Sequence, residues 1–269
     1  MSNSITIGSS TMLSSTPLVK RFKFGKNAPV REMKTLHFEN YGTATGIPFP
    51  PKKAWERNIS TDPLGNDLVG DCAEAAPGHA IQNLSMVAHA GSPTQVTREQ
   101  VVKAYSDITG YNPDDQSTDQ GSNMLDVCKY LKKTGIAGVT FDGYVALNPQ
   151  NIDQIHAACF VFGWVYFGIS VPVGLANLLN SGQEPPANWN FKELGGKPSG
   201  EGHALAMFGY GRFGKQFNSW GTGYHMDNDF WLANVDEAYA LVSSLWIKQN
   251  GRSPSGFDYQ GLLNDLTLV

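Results

Sequence analysis

Up to about residue 46 the apolar positions follow neither a helical nor a strand period. Ser, Thr, Gly and Lys dominate there, and the segment reads as an extended arm followed by loop that cannot build a core alone. From "IPFPPKKAW" onward the pattern changes. Ala73, Ala76, Ala80, Ile81, Leu84, Val87 and Ala88 recur at helical spacing and predict a helix over 72–90 buried along one side, with Pro77 bringing a kink or irregular first turns. "TREQVVKAYSDITG" predicts a second helix, with Thr97 and Gln100 at capping-box spacing and Gly110 as the left-handed terminator. "NMLDVCKYLKKTG" predicts a third with Met124, Val127, Cys128 and Leu131 on one face. "NPQNIDQIHAA" predicts a short fourth, capped by Asn148 with Pro149 at its first position.

After residue 160 the runs become β-branched and aromatic, punctuated by Gly and Asp. "FVFGWVYFGISV", "GHALAMFGYG", "KQFNSW" and "NDFWLANV" are the strand candidates, and "LNSGQEPPANWNFKELGGKPSGEG" between them reads as a long polar loop. Helices first and strands second predict an α+β protein. The expected division is an extended arm over 1–46 and one domain over 47–269, without internal repeats.

The formal charge of −4 and pI near 5.8 leave no basic stripe of the kind that binds nucleic acid or an anionic membrane. No window approaches 18 consecutive apolar residues, and "MSNSITIGSSTMLSS" lacks the charged and apolar regions of a signal peptide, so a cytoplasmic location is expected. Three unevenly spaced cysteines suit a reducing compartment, and with no CxxC spacing no metal or other cofactor is implied. His225 with Asp227 and Asp229 has no fixed ligand spacing and reads as a turn residue. Asp114, Asp115 and Asp119 lack the EF-hand pattern and read as a solvated loop.

Chemistry concentrates at "LGNDLVGDCAEAAPGHA". A cysteine in the first turn of a helix meets the partial positive charge of free backbone N–H groups, which favours the nucleophilic thiolate. Cys72 stands there, whereas Cys128 and Cys159 lie in apolar patterns and read as small buried hydrophobes. A nucleophilic thiol needs a base, and the base an orienter. His203 opens a strand, and Asn218 on the next is expected beside it, its amide oxygen accepting a ring N–H, with Trp220 on the same face shielding that bond. His79, two helical turns from Cys72, is too far for a direct hydrogen bond and reads as packed or partly exposed.

A cysteine opening a long helix, then about 130 residues later a Gly-His-Ala strand followed by Asn-Ser-Trp-Gly, resembles the papain superfamily of cysteine peptidases. Pro48 to Trp55 is similar to that family's mature N-terminal segment, and the likeness in motif order spans roughly 46–245. It implies a helical N-terminal half, with the nucleophile helix packed on an antiparallel sheet or barrel half. It implies further that Cys72, His203 and Asn218 form the catalytic set, that Asn66 stands at the oxyanion-hole glutamine, and that Gly121 and Ser122 line the substrate cleft with Trp220. There are departures. Asn66 is shorter than glutamine, Asp71 and Ala73 replace the usual serine and tryptophan around the nucleophile, and Val69 replaces a disulfide-bonded cysteine. Asp71 either opposes thiolate formation as an adjacent carboxylate or, the preferred reading, caps the helix and closes a capping-box-like loop with Glu74. The "GND-xx-GDC" form after "KFGKNAPVRE" is similar to papain-like proteins of bacteria and their phages, which adds the host cytoplasm or a virion as locations.

The implied activity is thiol-dependent hydrolysis of a peptide or amide, with the Cys72 thiolate attacking an acyl carbon and His203 protonating the leaving amine and then activating water. Two alternatives stand beside it. One is acyl transfer by the same residues. The other is a catalytically weak or inactive scaffold with a binding or structural role, including one in a phage particle, assembling through the N-terminal arm. Whether that arm covers the cleft is the observation that bears most on these readings.

Overall fold

Pro77 sits in the second turn of a helix, α1 (Cys72–Ala88), that is buried from Cys72 through Ser85. Lacking an N–H, proline cannot bond the carbonyl four residues back. That carbonyl, Ala73 O, instead accepts the Tyr166 hydroxyl at 2.7 Å, so the helix is anchored through its own defect. Tyr166→Phe leaves a buried carbonyl unpaired and is expected to lower stability by about 1–3 kcal/mol, read as the shift of a urea or thermal midpoint. The computed structural model describes residues 22–32, 37–38, 48–57, 61–88, 93–246 and 253–255. The expected arm over 1–46 therefore lies partly outside the described residues.

Local signals set the next helices. α2 (Arg98–Thr109) carries the expected Thr97–Gln100 capping box and ends on left-handed Gly110, and α3 (Met124–Lys133) is capped by Asn123 with its predicted apolar face buried. The fourth prediction needs correction: α4 (Ile152–Phe162) is capped by Asn151, not Asn148, and runs through "CFVF" to left-handed Gly163. The strand expected from residue 160 thus starts only at β3 (Val165–Pro172). An apolar run buried on every side carries no period that separates helix from strand. "NDFWLANV" is likewise corrected. Asp227 accepts the Phe230 N–H and opens a helix, α7 (Asn228–Asn234), before β8 (Val235–Val242) begins.

The remaining elements are β1 (Lys53–Ala54), β2 (Gly143–Leu147), α5 (Val173–Asn180), β4 (Asn188–Trp189), α6 (Phe191–Leu194), β5 (Pro198–Gly211), β6 (Gly214–Ser219) and β7 (Thr222–Asp227). The expected long loop thus holds a strand, a helical turn and the start of β5. The strands follow one open path, β2-β8-β3-β5-β6-β7-β4 with β1 beside β5, antiparallel except for β4 along β7. This is the α+β architecture expected, with a sheet that does not close into a barrel. α1 lies against β5, so the first residue of the helix meets the first half of the longest strand.

Candidate functional site

Cys72 is the first residue of α1 and only 1% exposed. Its sulfur accepts the Ala204 backbone N–H of β5 at 3.4 Å, which sets His203, the preceding residue, beside the same helix end. The His203 ring stacks on Trp220 with centroids 4.4 Å apart and planes at 15°. Its Nε2 lies 2.7 Å from Ser219 Oγ, whereas its Nδ1 and the buried Asn218 Oδ1 have no hydrogen-bond partner. The expected His203–Asn218 hydrogen bond is therefore replaced by one to Ser219. The cause lies in the register. Asn218 pairs with Ala206, so alternation sets Asn218 on the opposite face of the sheet from His203 and brings Ser219 to the His203 face. Beyond it Trp220 and Gly221, at φ 49° and 72°, form a two-residue hairpin connection between paired Ser219 and Thr222. A tryptophan in left-handed backbone is costly, and here the stack on His203 and the edge contact with Phe22 hold it. Trp220 does cover the imidazole as expected.

The capping assignment also changes. Asn66 is buried and gives an amide hydrogen to Val69 O at 3.1 Å, because its short side chain finds an acceptor inside its own loop. Asp71 is fully buried and its carboxyl oxygens have no hydrogen-bond partner; the Glu74 and Ala75 N–H groups go to its backbone carbonyl, so no side-chain cap or capping-box-like loop forms. Burial, reinforced by neighbouring Glu74, pushes the Asp71 carboxyl well up, and burial pushes Glu74 up to about 8 against the lowering influence of the Ser122 hydroxyl. Glu74 should thus hold more protons folded than unfolded between about pH 4.5 and 8, and its contribution to stability falls as pH rises through that window. Glu74→Gln is expected to be the more stable form at pH 8 by about 1–3 kcal/mol, with the difference shrinking towards pH 5, in denaturant melts at both pH values.

Residues 22–32 lie across the Cys72 end of α1. On one side Ser122 N–H donates to Gly25 O at 2.8 Å and Ser122 O accepts from Asn27 N at 2.9 Å, a parallel bridge centred on Lys26. On the other, Gly202 O accepts from Gly25 N at 3.3 Å and Lys26 N at 3.1 Å. Lys23 N–H reaches Asn66 O, and the Trp220 indole donates to Lys23 O. Gly121 and Ser122 lie directly against the chain's own arm. Glycine is required on both sides of this crossing. A Cβ on Gly25 would stand 1.7 Å from Gly70 O, and one on Gly121, at φ 70°, 2.1 Å from Gly25 O. Neither Gly25 nor Lys26 was singled out by residue pattern, since an arm gains its meaning only from the surface it crosses.

This cover sets the electrostatics. Burial pushes the Cys72 thiol up to about 12; the Ala204 and Gly25 N–H groups lower it, while Glu74 and Asp71 raise it further. Burial, and then the positive charge of Lys26, hold His203 down at about 3. Thiol and neutral imidazole, not an ion pair, are the forms favoured beneath the arm. His79 is packed and buried, held near 4 by desolvation. Cys128 and Cys159 are buried and pushed up, as inert thiols are. His225 lies on strand β7, not in a turn. Among the described residues no group of His, Cys, Asp and Glu could hold a metal, and no helix is long and apolar enough to cross a membrane.

Comparison of the sequence with protein-family models and with curated proteins gives no match. Comparison of the fold does. Xylellain, a cysteine protease from Xylella fastidiosa, is similar at 18% identity with a TM-score of 0.62, over 83% of this chain and 97% of that one. Digestive procathepsin L 3 of Tenebrio molitor larval midgut gives 15% identity and a TM-score of 0.53 over 83% and 76%. The Carica candamarcensis cysteine protease CMS1MS2 in complex with E-64 gives 13% and 0.50 over 72% and 99%. Helix α1 packed by its Cys72 end on an antiparallel sheet is accordingly the papain-like cysteine protease fold.

Proposed function

We propose that the chain is a thiol-dependent peptidase held latent by its N-terminal arm. Cys72 is the nucleophile and His203 the acid–base group. Ser219 holds the ring beneath the arm, and the unpartnered Asn218 Oδ1 is the acceptor for the ring N–H once the arm leaves. The observation that carries this reading is a peptide segment, residues 24–27, hydrogen-bonded on both sides in the groove over Cys72. A groove that pairs with backbone from Ser122 and Gly202 is suited to extended peptide substrates more than to small amides. The arm is an inhibitor there and not a substrate. Gly25 O is taken by Ser122 and the Gly25 N–H goes to Gly202 O, so the segment is anchored through its backbone on both sides.

The test is hydrolysis of fluorogenic peptide amides by full-length Gly25→Val, whose branched side chain cannot pass Gly70. Cleavage that Cys72→Ala abolishes is expected, and a displaced arm with a reactive Cys72 but no cleavage overturns the reading. The scaffold reading draws on the Asn66 amide turned to Val69 and on the two buried carboxyls beside Cys72. It predicts that Cys72→Ala changes nothing measurable in function, whereas an oxyanion donor lost outright costs a peptidase only about 10²–10³ in rate.

A further inference from the structure

Lys26 is the residue after the one that meets Cys72, and its side chain is 1% exposed, an unusual fate for lysine. The stem passes Gly168 of β3 and Met124 of α3: a Cβ on Gly168 would lie 2.1 Å from Lys26 Cε and 2.7 Å from the Met124 sulfur. The absence of a side chain at 168 is what leaves the passage open. At its end the ammonium lies 3.0 Å from Asp236 Oδ2 and 3.2 Å from Glu237 Oε1, and it donates to Asn27 O at 3.2 Å. Glu237 is 6% exposed and is itself held by the Tyr239 hydroxyl at 3.1 Å. Burying a carboxylate so deeply is costly unless a cation meets it, and the strand start that carries both acids faces no other described cation in an ion pair.

We infer that this passage is a specificity pocket for a basic side chain, and that Lys26 occupies it in place of a lysine or arginine of the peptide substrate. The inference rests on the peptidase reading for the word substrate, but the recognition of a basic peptide stands apart from turnover. The acids are incompletely satisfied by lysine. Asp236 Oδ1 has no hydrogen-bond partner, and Glu237 Oε1 lies beside the ammonium without hydrogen-bond alignment. A guanidinium brings five donors in a planar fork, where an ammonium brings three around a point. Beyond the acids, a cavity of about 330 Å³ lies between the arm and the Ala146–Pro149 and Asp236–Tyr239 walls, and departure of the arm leaves those walls open to a longer head group. Arginine is therefore the better ligand, lysine the second, and an acidic residue is excluded by repulsion from the same pair.

Binding separates the two claims. Full-length Lys26→Ala combined with Cys72→Ala removes the occupant and the nucleophile while leaving Asp236 and Glu237 in place. Fluorescent peptides identical except for Arg, Lys, norleucine or Glu, placed in turn at each central position, are titrated by anisotropy. At one position arginine and lysine are expected to bind at least about tenfold more tightly than norleucine, with glutamate weakest, and adding Glu237→Gln should reduce the preference for lysine over norleucine to about twofold or less. Equal binding of lysine and norleucine, a preference indifferent to Glu237→Gln, or no binding of any peptide each overturns the pocket. Basic-selective binding without hydrolysis by Lys26→Ala alone keeps the pocket and overturns the peptidase. Because Lys26→Ala strands two acids, full-length Gly25→Val, with Lys26 intact, is run in parallel and is expected to give the same ranking.

Discussion

Full-length Gly25→Val is expected to be alkylated by iodoacetamide at Cys72 at least about 10²-fold faster than the parent chain at pH 7. The parent thiol, pushed to about 12, is thiolate in roughly one molecule in 10⁵ at that pH, whereas a thiol returned to its ordinary range near 8.5 is thiolate in a few per cent. Three causes of the suppression go together when the arm leaves. Water returns to Cys72 and His203, the Lys26 charge no longer opposes imidazolium, and the sulfur becomes accessible. The arm also supplies one opposing influence, the Gly25 N–H that favours the anion, but burial is the larger cause. Valine is chosen because the obstacle it meets is backbone, Gly70 O, which cannot rotate aside. Cys128 and Cys159, fully buried in the core, should stay unlabelled and serve as internal controls in the mass spectrum. Lys26→Glu, which sets a third acid against Asp236 and Glu237, should act in the same direction by a different cause. Unchanged Cys72 labelling in both folded variants would mean that the arm does not govern the thiol.

What could be read from the chain divides by the range of the interaction. The α2 capping box and the left-handed Gly110 are contacts within a few residues, and they lie where the pattern places them. The α1 start at Cys72 was equally legible, but its cap was not. Asp71 has the right residue type at the right position, yet its carboxyl is turned into a buried space beside Gly65 and Glu74, and the Glu74 and Ala75 N–H groups go to its backbone carbonyl instead. "CFVF" and "NDFWLANV" misled because burial on all sides erases periodicity, leaving Gly163 and Asp227 as the only local markers of where a helix ends or begins. The meeting of Cys72 with the His203 strand was visible only through motif order. The role of Ser219 was not visible, since it depends on the register that pairs Asn218 with Ala206 and so turns Ser219 to the His203 face. Lys26 was hidden for a different reason. One lysine in a polar arm looks solvated until Asp236 and Glu237, two hundred residues away in sequence, are folded around it.

In the arm-displaced chain, His203→Ala is expected to lower kcat/KM for peptide cleavage by about 10³-fold or more, an effect of the size seen when a nucleophile loses its base. The proton must leave the thiol for a nitrogen, and among the described residues His203 is the only imidazole adjoining the Cys72 helix end, with Nδ1 the ring atom left unpaired for that purpose. His79 cannot substitute, being packed seven residues along the helix and held near 4 by burial. Loss of the base should also remove the acid limb that imidazole titration imposes on the pH profile, which a merely structural role would not do. The two β6 residues then separate the closed ring position from the working one. Ser219→Ala alone should cost about tenfold if the observed Nε2 hydrogen bond persists when the arm leaves, since that hydroxyl fixes the ring plane against Trp220. A larger cost for Asn218→Ala would instead show the ring turning to the amide oxygen that now lacks a partner. In either case the loss should fall on kcat more than on KM, because the Ser219 hydroxyl is engaged with the imidazole and Asn218 Oδ1 has no hydrogen-bond partner in the arm.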